Sequence, residues 1–271
     1  MRSSTVLAAT DDAMISAVTC TGSHSRWSPA ESPLAYGLVL VRSGLFRVRG
    51  HGREALAETA TAYLQSPNRE LQFAHPRGGD VCTSVTVSHE FWQTNFAAAG
   101  SGVVHSVPVD AQVETAHLML LRATRTGDRH YAVTERLLHL IGGAVRAEVR
   151  VRRPAGASTR LVQAAREAVL TDDPQAATLV GLARQLDVSP YYLSRVFKAH
   201  MGTGLTRYRN RIRVSRALHR LHDGETDLAR LAIELGFADQ AHLTRTIGTH
   251  LGQPPAALRR ALQSNAASVD S

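Results

Sequence analysis

Two stretches in the C-terminal half share one pattern and decide the fold. The first reads LARQLDVSPYYLSRVF from Leu182 to Phe197, and the second reads LAIELGFADQAHLTRTI from Leu231 to Ile247. Their N-terminal parts match at an offset of 49 residues and their C-terminal parts at 50, so the second copy has one extra residue in its turn. Each copy predicts a short apolar helix, a tight turn and a second helix with polar residues. That arrangement is a helix-turn-helix.

Residues that favour helix starts mark the helices of both copies. Thr178 and Asp227 precede the first helices as expected N-caps, and Ser189 before Pro190 is typical of the start of a helix. The segment from Ala238 to Gln240 opens the corresponding helix of the second copy. We therefore expect the same local structure twice.

The second helix of each copy is predicted to have two faces. In the first copy the apolar face holds Leu193, Val196 and Phe197, and in the second Leu243, Ile247 and Leu251. The opposite faces carry polar side chains that could reach into a DNA major groove, where arginine can bond guanine through two hydrogen bonds. A solvated helix face would explain one copy equally well, but the repetition favours DNA reading. These polar residues are Tyr191, Ser194, Arg195 and Lys198 in the first copy, and Gln240, His242, Thr244 and Arg245 in the second.

An arginine-rich segment from Leu205 to Leu221 joins the two copies and has a helical apolar period. A helix of this length spans about 25 Å at 1.5 Å per residue. It could hold two reading units about one DNA turn apart, near 34 Å. We expect some of its arginines to meet phosphates and others to pair with Glu225, Asp227 or the scaffold. The arginines are Arg207, Arg209, Arg211, Arg213, Arg216 and Arg220.

The charge distribution agrees with this interpretation. The 271-residue chain has a formal net charge of +8 and a pI near 10.3. Residues 158–263 contain 15 Lys and Arg against 9 Asp and Glu, whereas residues 1–157 contain 16 against 13. Most of the positive excess therefore lies with the repeats, as expected for a nucleic-acid partner.

The first half predicts a small β-rich domain followed by helices. Tyr36 to Arg49 suggests a hairpin with Ser43-Gly44 at its turn, after a loose start of the chain. Short runs separated by Gly, Pro and Asn favour a sandwich or barrel over a parallel sheet, and a ligand pocket between its sheets is possible. Further strands are expected at residues 60–65, 70–74 and 81–87, and helices at residues 91–99, 112–122 and 133–149.

No catalytic motif is found in this half. His24, His51, His75 and His89 are scattered, without the spacing that gathers metal ligands, and structural or surface roles are expected for them. No disulfide framework or zinc site is expected from the two cysteines. Cys82 is expected to be a small buried residue; a redox-sensing thiol is the alternative, and it would need a lowered pKa and access. We therefore expect no enzyme, no cofactor and no metal.

The N-terminal sequence MRSSTVLAATDD turns acidic before any apolar core forms, so no signal peptide is expected. No apolar run approaches the roughly 18 residues of a membrane span. These observations predict a cytoplasmic protein without a membrane partner.

Residues Leu179 to Arg260 resemble the double helix-turn-helix domain of the AraC/XylS family of bacterial transcription regulators. The resemblance rests on VSPYYLSRVFKAHMG, the arginine-rich helix and LAIELGFADQAHLTRT. It implies base reading by Tyr191, Ser194 and Arg195, then by Gln240, His242, Thr244 and Arg245, and phosphate contacts by Lys198 and Arg209.

The same resemblance has implications for the rest of the chain. It implies a cupin-like effector domain in the first half, where GGDVCTSVTVS ends the predicted strands. It also implies dimerisation through the helices of residues 112–149, contact with RNA polymerase and, most commonly, activation. A small-molecule effector is possible, with its identity open.

We predict an α+β multidomain fold: an N-terminal cupin-like β-rich domain with helices and a C-terminal all-α double helix-turn-helix domain. The expected boundaries are residues 1–153 for the effector and dimerisation domain, 154–159 for a linker, 160–263 for the DNA-binding domain and 264–271 for a disordered tail. The expected partner is double-stranded DNA, bound in a sequence-specific manner by a homodimer.

Two alternatives remain open at this point. One is a cupin-type enzyme or sensor whose helical domain is auxiliary, against which the missing metal-ligand set argues. The other is an architectural protein that binds DNA without sequence preference. Bound metal would support the first, and equal affinity for specific and random duplex would support the second.

Overall fold

The computed structural model describes residues 2–50, 53–76, 78–96, 105–125, 129–149 and 157–251. Its chain divides into two compact units, one formed by residues 1–148 with 213–271 and the other by residues 149–212. The first half of the expected linker of residues 154–159 and the whole expected tail of residues 264–271 lie outside the described residues. His51 lies outside them as well.

The first unit begins with an antiparallel sheet, which has nine strands within the described ranges. Its order is β1-β2-β8-β3-β6-β5-β4-β7, with β9 pairing to β6. The strands are β1 (Arg2–Ala9), β2 (Ala13–Cys20), β3 (Tyr36–Ser43), β4 (Leu45–Gly50), β5 (Arg53–Glu58), β6 (Thr61–Gln65), β7 (Gln72–Ala74), β8 (Asp80–Val87) and β9 (His105–Pro108).

The predicted hairpin from Tyr36 to Arg49 is wrong, although strands lie at both of its arms. β3 pairs with β6 and β8, whereas β4 pairs with β5 and β7. Gly44 alone separates the two strands, and one residue is shorter than the two-residue loop of a tight hairpin. The chain therefore turns into a different part of the sheet at this point.

The strands missed by the sequence reasoning include both at the start of the chain. β1 reads RSSTVLAA and exposes most of its side chains, since it lies at the sheet edge and pairs only with β2. A polar edge strand has no regular apolar alternation to reveal it. The loose start that we expected is instead a paired strand with an irregularity between Val6 and Ala8.

The sheet buries side chains on both faces. On one face, Val85 and Val87 of β8 and Leu38 and Leu40 of β3 join a core formed with three helices. On the other, Cys82 belongs to a smaller cluster with residues of β3, β4 and β6. This is the alternation expected of pleated strands. The helices, α1 (His89–Phe96), α2 (Ala111–Ala123) and α3 (Arg129–Val149), lie where the sequence predicted them.

The second unit contains the first helix-turn-helix. Helix α4 (Ala157–Leu170) and a short 3-10 helix (Pro174–Ala177) precede α5 (Leu179–Gln185) and α6 (Pro190–Met201). Phe197 of α6 and Tyr208 of α7 (Leu205–His222) are fully buried, with ring centroids 5.2 Å apart in an edge-to-face arrangement. The apolar face of α6 is therefore its packed face, as predicted.

The second helix-turn-helix comprises α8 (Leu228–Glu234) and α9 (Gln240–Leu251) and belongs to the first unit with residues 213–222 of α7. Its buried core includes Leu231, Leu243 and Ile247, and also Leu118 from α2. The side chains of His250 on α9 and Glu114 on α2 approach within 3.1 Å. The helices after the sheet are therefore part of the packing of this helix-turn-helix. The predicted fold class is confirmed.

Three histidines are buried where α2 meets α7. His117 lies 2.8 Å from the Thr83 hydroxyl through Nε2, and its ring centroid is 6.0 Å from that of His219. Burial lowers the pKa of His117 well below its ordinary value and also lowers that of His219. Burial and then the charge of Arg125 lower the pKa of His222 to about 4. All three rings are therefore neutral in the folded protein near neutral pH.

These histidines predict a loss of stability in mild acid. The unfolded chain takes up protons near the ordinary histidine pKa of about 6.5 while the folded chain does not, so stability is full above that pH and falls as pH drops towards 4. Each histidine contributes up to about 1.4 kcal/mol per pH unit. Urea unfolding of the full chain at pH 7.5 and 5.5 measures the effect. His222→Gln should make the dependence shallower, and His139→Gln, which removes an exposed histidine, is the matched control. Equal stability at the two pH values in the wild-type chain would contradict this interpretation.

Candidate DNA-binding interface

The second helix of each helix-turn-helix begins with an equivalent N-cap. Ser189 Oγ accepts a hydrogen bond from the Tyr192 amide at 3.1 Å, and Asp239 Oδ1 accepts one from the His242 amide at 2.6 Å. Ser189 and Asp239 lie 50 positions apart, which is the offset of the matching helices. Each cap satisfies an amide that a helix start leaves without an intrahelical partner.

The turns before these caps also have the same geometry. The Val188 amide donates to the Ala183 carbonyl at 3.0 Å, and the Phe237 amide donates to the Ala232 carbonyl at 2.9 Å. The preceding residue is left-handed in both turns: Asp187 has a φ of 52° and Gly236 a φ of 72°. Aspartate tolerates this conformation and glycine adopts it freely. The offset here is still 49, so the extra residue lies between the turn and the cap.

The extra residue is Ala238. Its amide donates to His242 Nδ1 at 3.3 Å, and the His242 ring packs edge-to-face against Phe237 with centroids 5.3 Å apart. Because Nδ1 accepts this bond, the neutral ring carries its proton on Nε2. His242, which we predicted to read a base, therefore also satisfies the inserted backbone amide.

In the first helix-turn-helix, the structure separates the predicted site residues from the packed face. Leu193 and Phe197 are fully buried, whereas Tyr191 is 76% exposed. Arg195 and Lys198 are exposed, and within the described residues their side chains form no ion pair or hydrogen bond. Ser194 is half-buried on the same helix. This helix therefore presents two unpaired cations beside an exposed aromatic ring.

The second helix-turn-helix presents a less basic face. Gln240 and Arg245 are exposed, Thr244 is half-buried, and Leu243 and Ile247 are fully buried. The Arg245 side chain has no charged or hydrogen-bonding partner in the part of the chain that the structure describes. One free cation on α9, compared with two on α6, makes the two faces electrostatically unequal.

The arginines of α7 divide as expected between scaffold and solvent. Arg209 Nη1 donates to the Ala177 carbonyl at 2.7 Å, and Arg220 pairs with Glu225 and Glu234 at 2.9 Å each. Arg207 is exposed, and its side chain has no polar partner among the described residues. The sequence reasoning did not single out Arg207 from the other arginines. Its place away from the buried Leu205, Tyr208 and Ile212 was the available signal.

Glu225 orders the approach to the second helix-turn-helix. Its carboxylate accepts hydrogen bonds from the Thr226 and Asp227 amides, both at 2.9 Å, and pairs with Arg220 and Arg230. The bond from the Asp227 amide, followed by the two guanidinium groups, lowers the pKa of Glu225 to about 2. Asp227 then caps α8 by accepting from the Arg230 amide at 2.9 Å.

A cavity of about 690 Å³ lies on the sheet face opposite α1–α3. Even-numbered residues of β2 and β8, including Cys20 and Cys82, line it together with Phe46 and Tyr63. Burial, and then the charge of Asp80, raises the pKa of both thiols. This disfavours the reactive thiolate that a redox sensor needs, and the 3% exposure of Cys82 fits the small buried role.

The comparisons with known proteins agree with the repeated geometry. A family model described as a helix-turn-helix domain matches residues 182–261. Over 79 residues the chain is 33% identical to the HTH-type transcriptional regulator GlxA of Rhizobium meliloti. The aligned segment is 29% of this chain and 24% of that protein. Over 106 residues it is 30% identical to an AraC-like transcription regulator of Streptomyces lividans. That aligned segment is 39% of this chain and 35% of the relative.

Residues 182–261 are therefore similar to the helix-turn-helix domains of such transcription regulators. The chain spans between about a quarter and a third of the length of these two curated relatives. This similarity supports a DNA-binding domain in this part of the chain.

Two solved structures align at low similarity. ToxT from Vibrio cholerae, in a crystal structure with an unsaturated fatty acid bound, covers 94% of this chain and 97% of its own at 11% identity and a TM-score of 0.39. A cupin superfamily protein from Desulfitobacterium hafniense covers 32% and 78% at 15% identity and a TM-score of 0.29. The architecture described above therefore rests on the strands and helices of this chain. Within the described ranges, no helix has the length and apolarity needed to cross a bilayer.

Proposed function

We propose that this protein is a sequence-specific DNA-binding transcription regulator that reads two successive major-groove segments with α6 and α9. The observation that carries the proposal is the duplication: two helices with equivalent caps and turns each bury one face and leave polar side chains exposed. A solvated surface has no need for this repetition. Major-groove reading needs a seated helix whose first turns offer hydrogen-bond donors and acceptors.

The proposed roles follow from the chemistry and exposure of each side chain. Arg195 and Arg245 are suited to guanine, and the remaining base-reading candidates are Tyr191, Ser194, Gln240, His242 and Thr244. Lys198 and Arg207 are the proposed phosphate contacts with free cationic groups. Arg209 uses one of its five N–H donors on Ala177 and retains others for a phosphate.

We expect the two helix-turn-helix units to contribute unequally to DNA binding. The helix α6 carries Arg195 and Lys198 with two exposed tyrosines, whereas α9 carries Arg245 alone as a free cation. Phosphate neutralisation supplies much of the affinity for DNA, and base contacts supply the discrimination. The first helix-turn-helix should therefore dominate the affinity for DNA, and the second should add sequence specificity.

The N-terminal part is proposed to control DNA binding. Its cavity of about 690 Å³ falls in the size range of small-molecule sites and gives an effector a place to bind. We place dimer contacts on α3, where Tyr131 is 84% exposed, because α2 contributes buried residues to both the sheet core and the second helix-turn-helix. Activation through contact with RNA polymerase, a cytoplasmic location and the absence of enzymatic activity complete the proposal.

We retain the proposed functional boundaries: an effector and dimerisation domain in residues 1–153, a linker in 154–159, a DNA-binding domain in 160–263 and a tail in 264–271. The boundary between the two compact units instead falls within α7, after Ile212. Function and packing need not divide the chain at the same place, because α7 belongs to both helix-turn-helix units.

Sequence preference is the direct test of the proposal. We expect duplexes selected from a random library by the full chain to bind about 10³-fold or more tightly than random duplex at the same salt concentration. Fluorescence anisotropy with competitor DNA measures the ratio. A ratio near one would identify an architectural DNA binder, and no detectable binding to any duplex would refute the proposal.

Substitutions on α6 should separate base contacts from phosphate contacts. Arg195→Ala should cost about 1–3 kcal/mol on the selected site and relax preference at one base pair. Lys198→Ala should weaken all sequences alike and reduce the salt slope by about one unit. Arg245→Ala should cost less affinity than Arg195→Ala. Binding titrations at several salt concentrations measure each effect.

The matched control is Arg160→Ala, which removes an exposed arginine from α4 of the same unit. A uniform loss across all sequences in Arg195→Ala would reclassify that residue as a phosphate contact. An unchanged salt slope in Lys198→Ala would remove Lys198 from the interface. A larger loss of DNA affinity in Arg245→Ala than in Arg195→Ala would overturn the expectation that the first helix-turn-helix contributes more affinity than the second.

A further inference from the structure

Three side chains with metal-binding atoms meet at the wall of the N-terminal cavity. Cys20 ends β2 and pairs directly with Asp80 at the start of β8, while His75 follows β7. One ligand atom from each residue lies within 4.8 Å of the other two. The sequence reasoning missed this group because its members are far apart in the sequence, with Cys20 and His75 separated by 55 positions.

The backbone is built for this close approach. A Cβ atom on Gly79 would lie 2.1 Å from the Cys20 carbonyl oxygen, so only glycine permits the two strand ends to come this near. The pairing places Asp80 opposite Cys20 and buries Asp80 to 4% exposure. The cluster therefore follows from the strand register.

A chain of hydrogen bonds fixes the proton positions of two histidines. The Arg26 carbonyl can only accept, so His24 Nδ1, 2.9 Å away, carries a hydrogen and donates it. In neutral His24, Nε2 is then an acceptor, and His75 Nδ1 at 3.3 Å donates to it. In neutral His75, the remaining nitrogen Nε2 has no hydrogen. Its lone pair lies beside the cluster.

That lone pair lies against the Asp80 carboxylate. His75 Nε2 and Asp80 Oδ1 are 2.8 Å apart, yet Oδ1 is buried and accepts no hydrogen bond from any residue that the structure describes. Two electron-rich atoms at this distance repel each other, and a buried carboxylate oxygen without a hydrogen bond is costly. A positive charge shared by both atoms would remove both costs, and the Cys20 sulfur is close enough to bind the same charge.

We propose that Cys20, His75 and Asp80 form a binding site for a zinc-class divalent ion. Sulfur, imidazole nitrogen and carboxylate oxygen are the donors that zinc uses, at about 2.0–2.3 Å, and three protein ligands leave a fourth position open. Cys20 binds as a thiolate and releases its proton to solvent. His24 orients His75, and Cys82 orients Asp80 by donating to Oδ2 at 3.0 Å, which is the outer-shell support typical of such sites.

All three ligands line the cavity, so a fourth ligand of the ion could come from it. Water or a small molecule with an oxygen or nitrogen donor can occupy this fourth position. The site is independent of the proposed DNA binding, since it lies wholly among residues of the sheet and its loops. It can be tested in solution without DNA.

Titration of the reduced, chelator-treated full chain with Co²⁺ and Zn²⁺ tests the site. We expect one equivalent of Co²⁺ to give the absorption of a four-coordinate ion with a sulfur-to-cobalt charge-transfer band, and one equivalent of Zn²⁺ to remove both. Cys20→Ser should abolish the charge-transfer band. His75→Gln and Asp80→Asn should each weaken binding by more than the roughly 10–100-fold that loss of an outer-shell partner costs, and His24→Gln should fall within that range.

His89→Gln is the matched control, because His89 packs beside Tyr36 at the start of α1 and does not line the cavity. A measurement on the wild-type chain covers any variant that fails to fold: Zn²⁺ should slow alkylation of Cys20, read by mass spectrometry. The proposal is overturned if the wild-type chain binds no stoichiometric metal, which would leave a doubly protonated His75 as the partner of Asp80. It is equally overturned if the His75 and Asp80 variants bind as tightly as the His89→Gln control.

Discussion

In each helix-turn-helix, one residue between the two helices has a left-handed backbone conformation, and the interface depends on this constraint. Asp187 and Gly236 turn the chain so that the next amide, of Val188 or Phe237, bonds back to the preceding helix. This fixes where the recognition helix starts and which of its faces meets the scaffold. The exposure of Arg195 and Arg245 is thus a consequence of the turn and of the buried residues that follow it.

Within the first unit, the second helix-turn-helix is packed on the helices that follow the sheet. Leu118 of α2 lies in its core, and Glu114 contacts His250 of α9. Thr83, which neighbours Cys82 of the cavity wall but lies on the opposite face of β8, bonds His117 of α2, and His117 in turn meets His219 of α7. Contacts therefore run without a break from the cavity wall to α7, the helix that precedes the second helix-turn-helix.

The sequence predicted the C-terminal half well because its signals are local. Caps at Thr178, Ser189 and Asp227 and the burial of Leu193 and Leu243 follow from side-chain chemistry within one or two turns of helix. The extra residue of the second copy was also visible as a change of offset. What the sequence could not show was that His242 satisfies the amide of that residue, since this depends on ring orientation.

The sheet and its cavity were predicted less well because their contacts join distant positions. The connection at Gly44 looked like a hairpin turn, but strand partners are chosen by the whole sheet. The group formed by Cys20, His75 and Asp80 has no motif because the register of β2 on β8 brings it together. Likewise, the sequence could not show that Arg209 contacts the Ala177 carbonyl, which lies 32 positions away.

The central claim is that both helix-turn-helix units of one chain contact DNA. Hydroxyl-radical and methylation footprinting of the full chain on a selected site tests it most directly. The account predicts two protected segments on one face of the duplex, with guanine protection in two major-groove segments about one turn, or 10–10.5 base pairs, apart. Arg245→Ala should remove guanine protection from one segment and leave the other. A single protected segment, unchanged by Arg245→Ala, would contradict the claim.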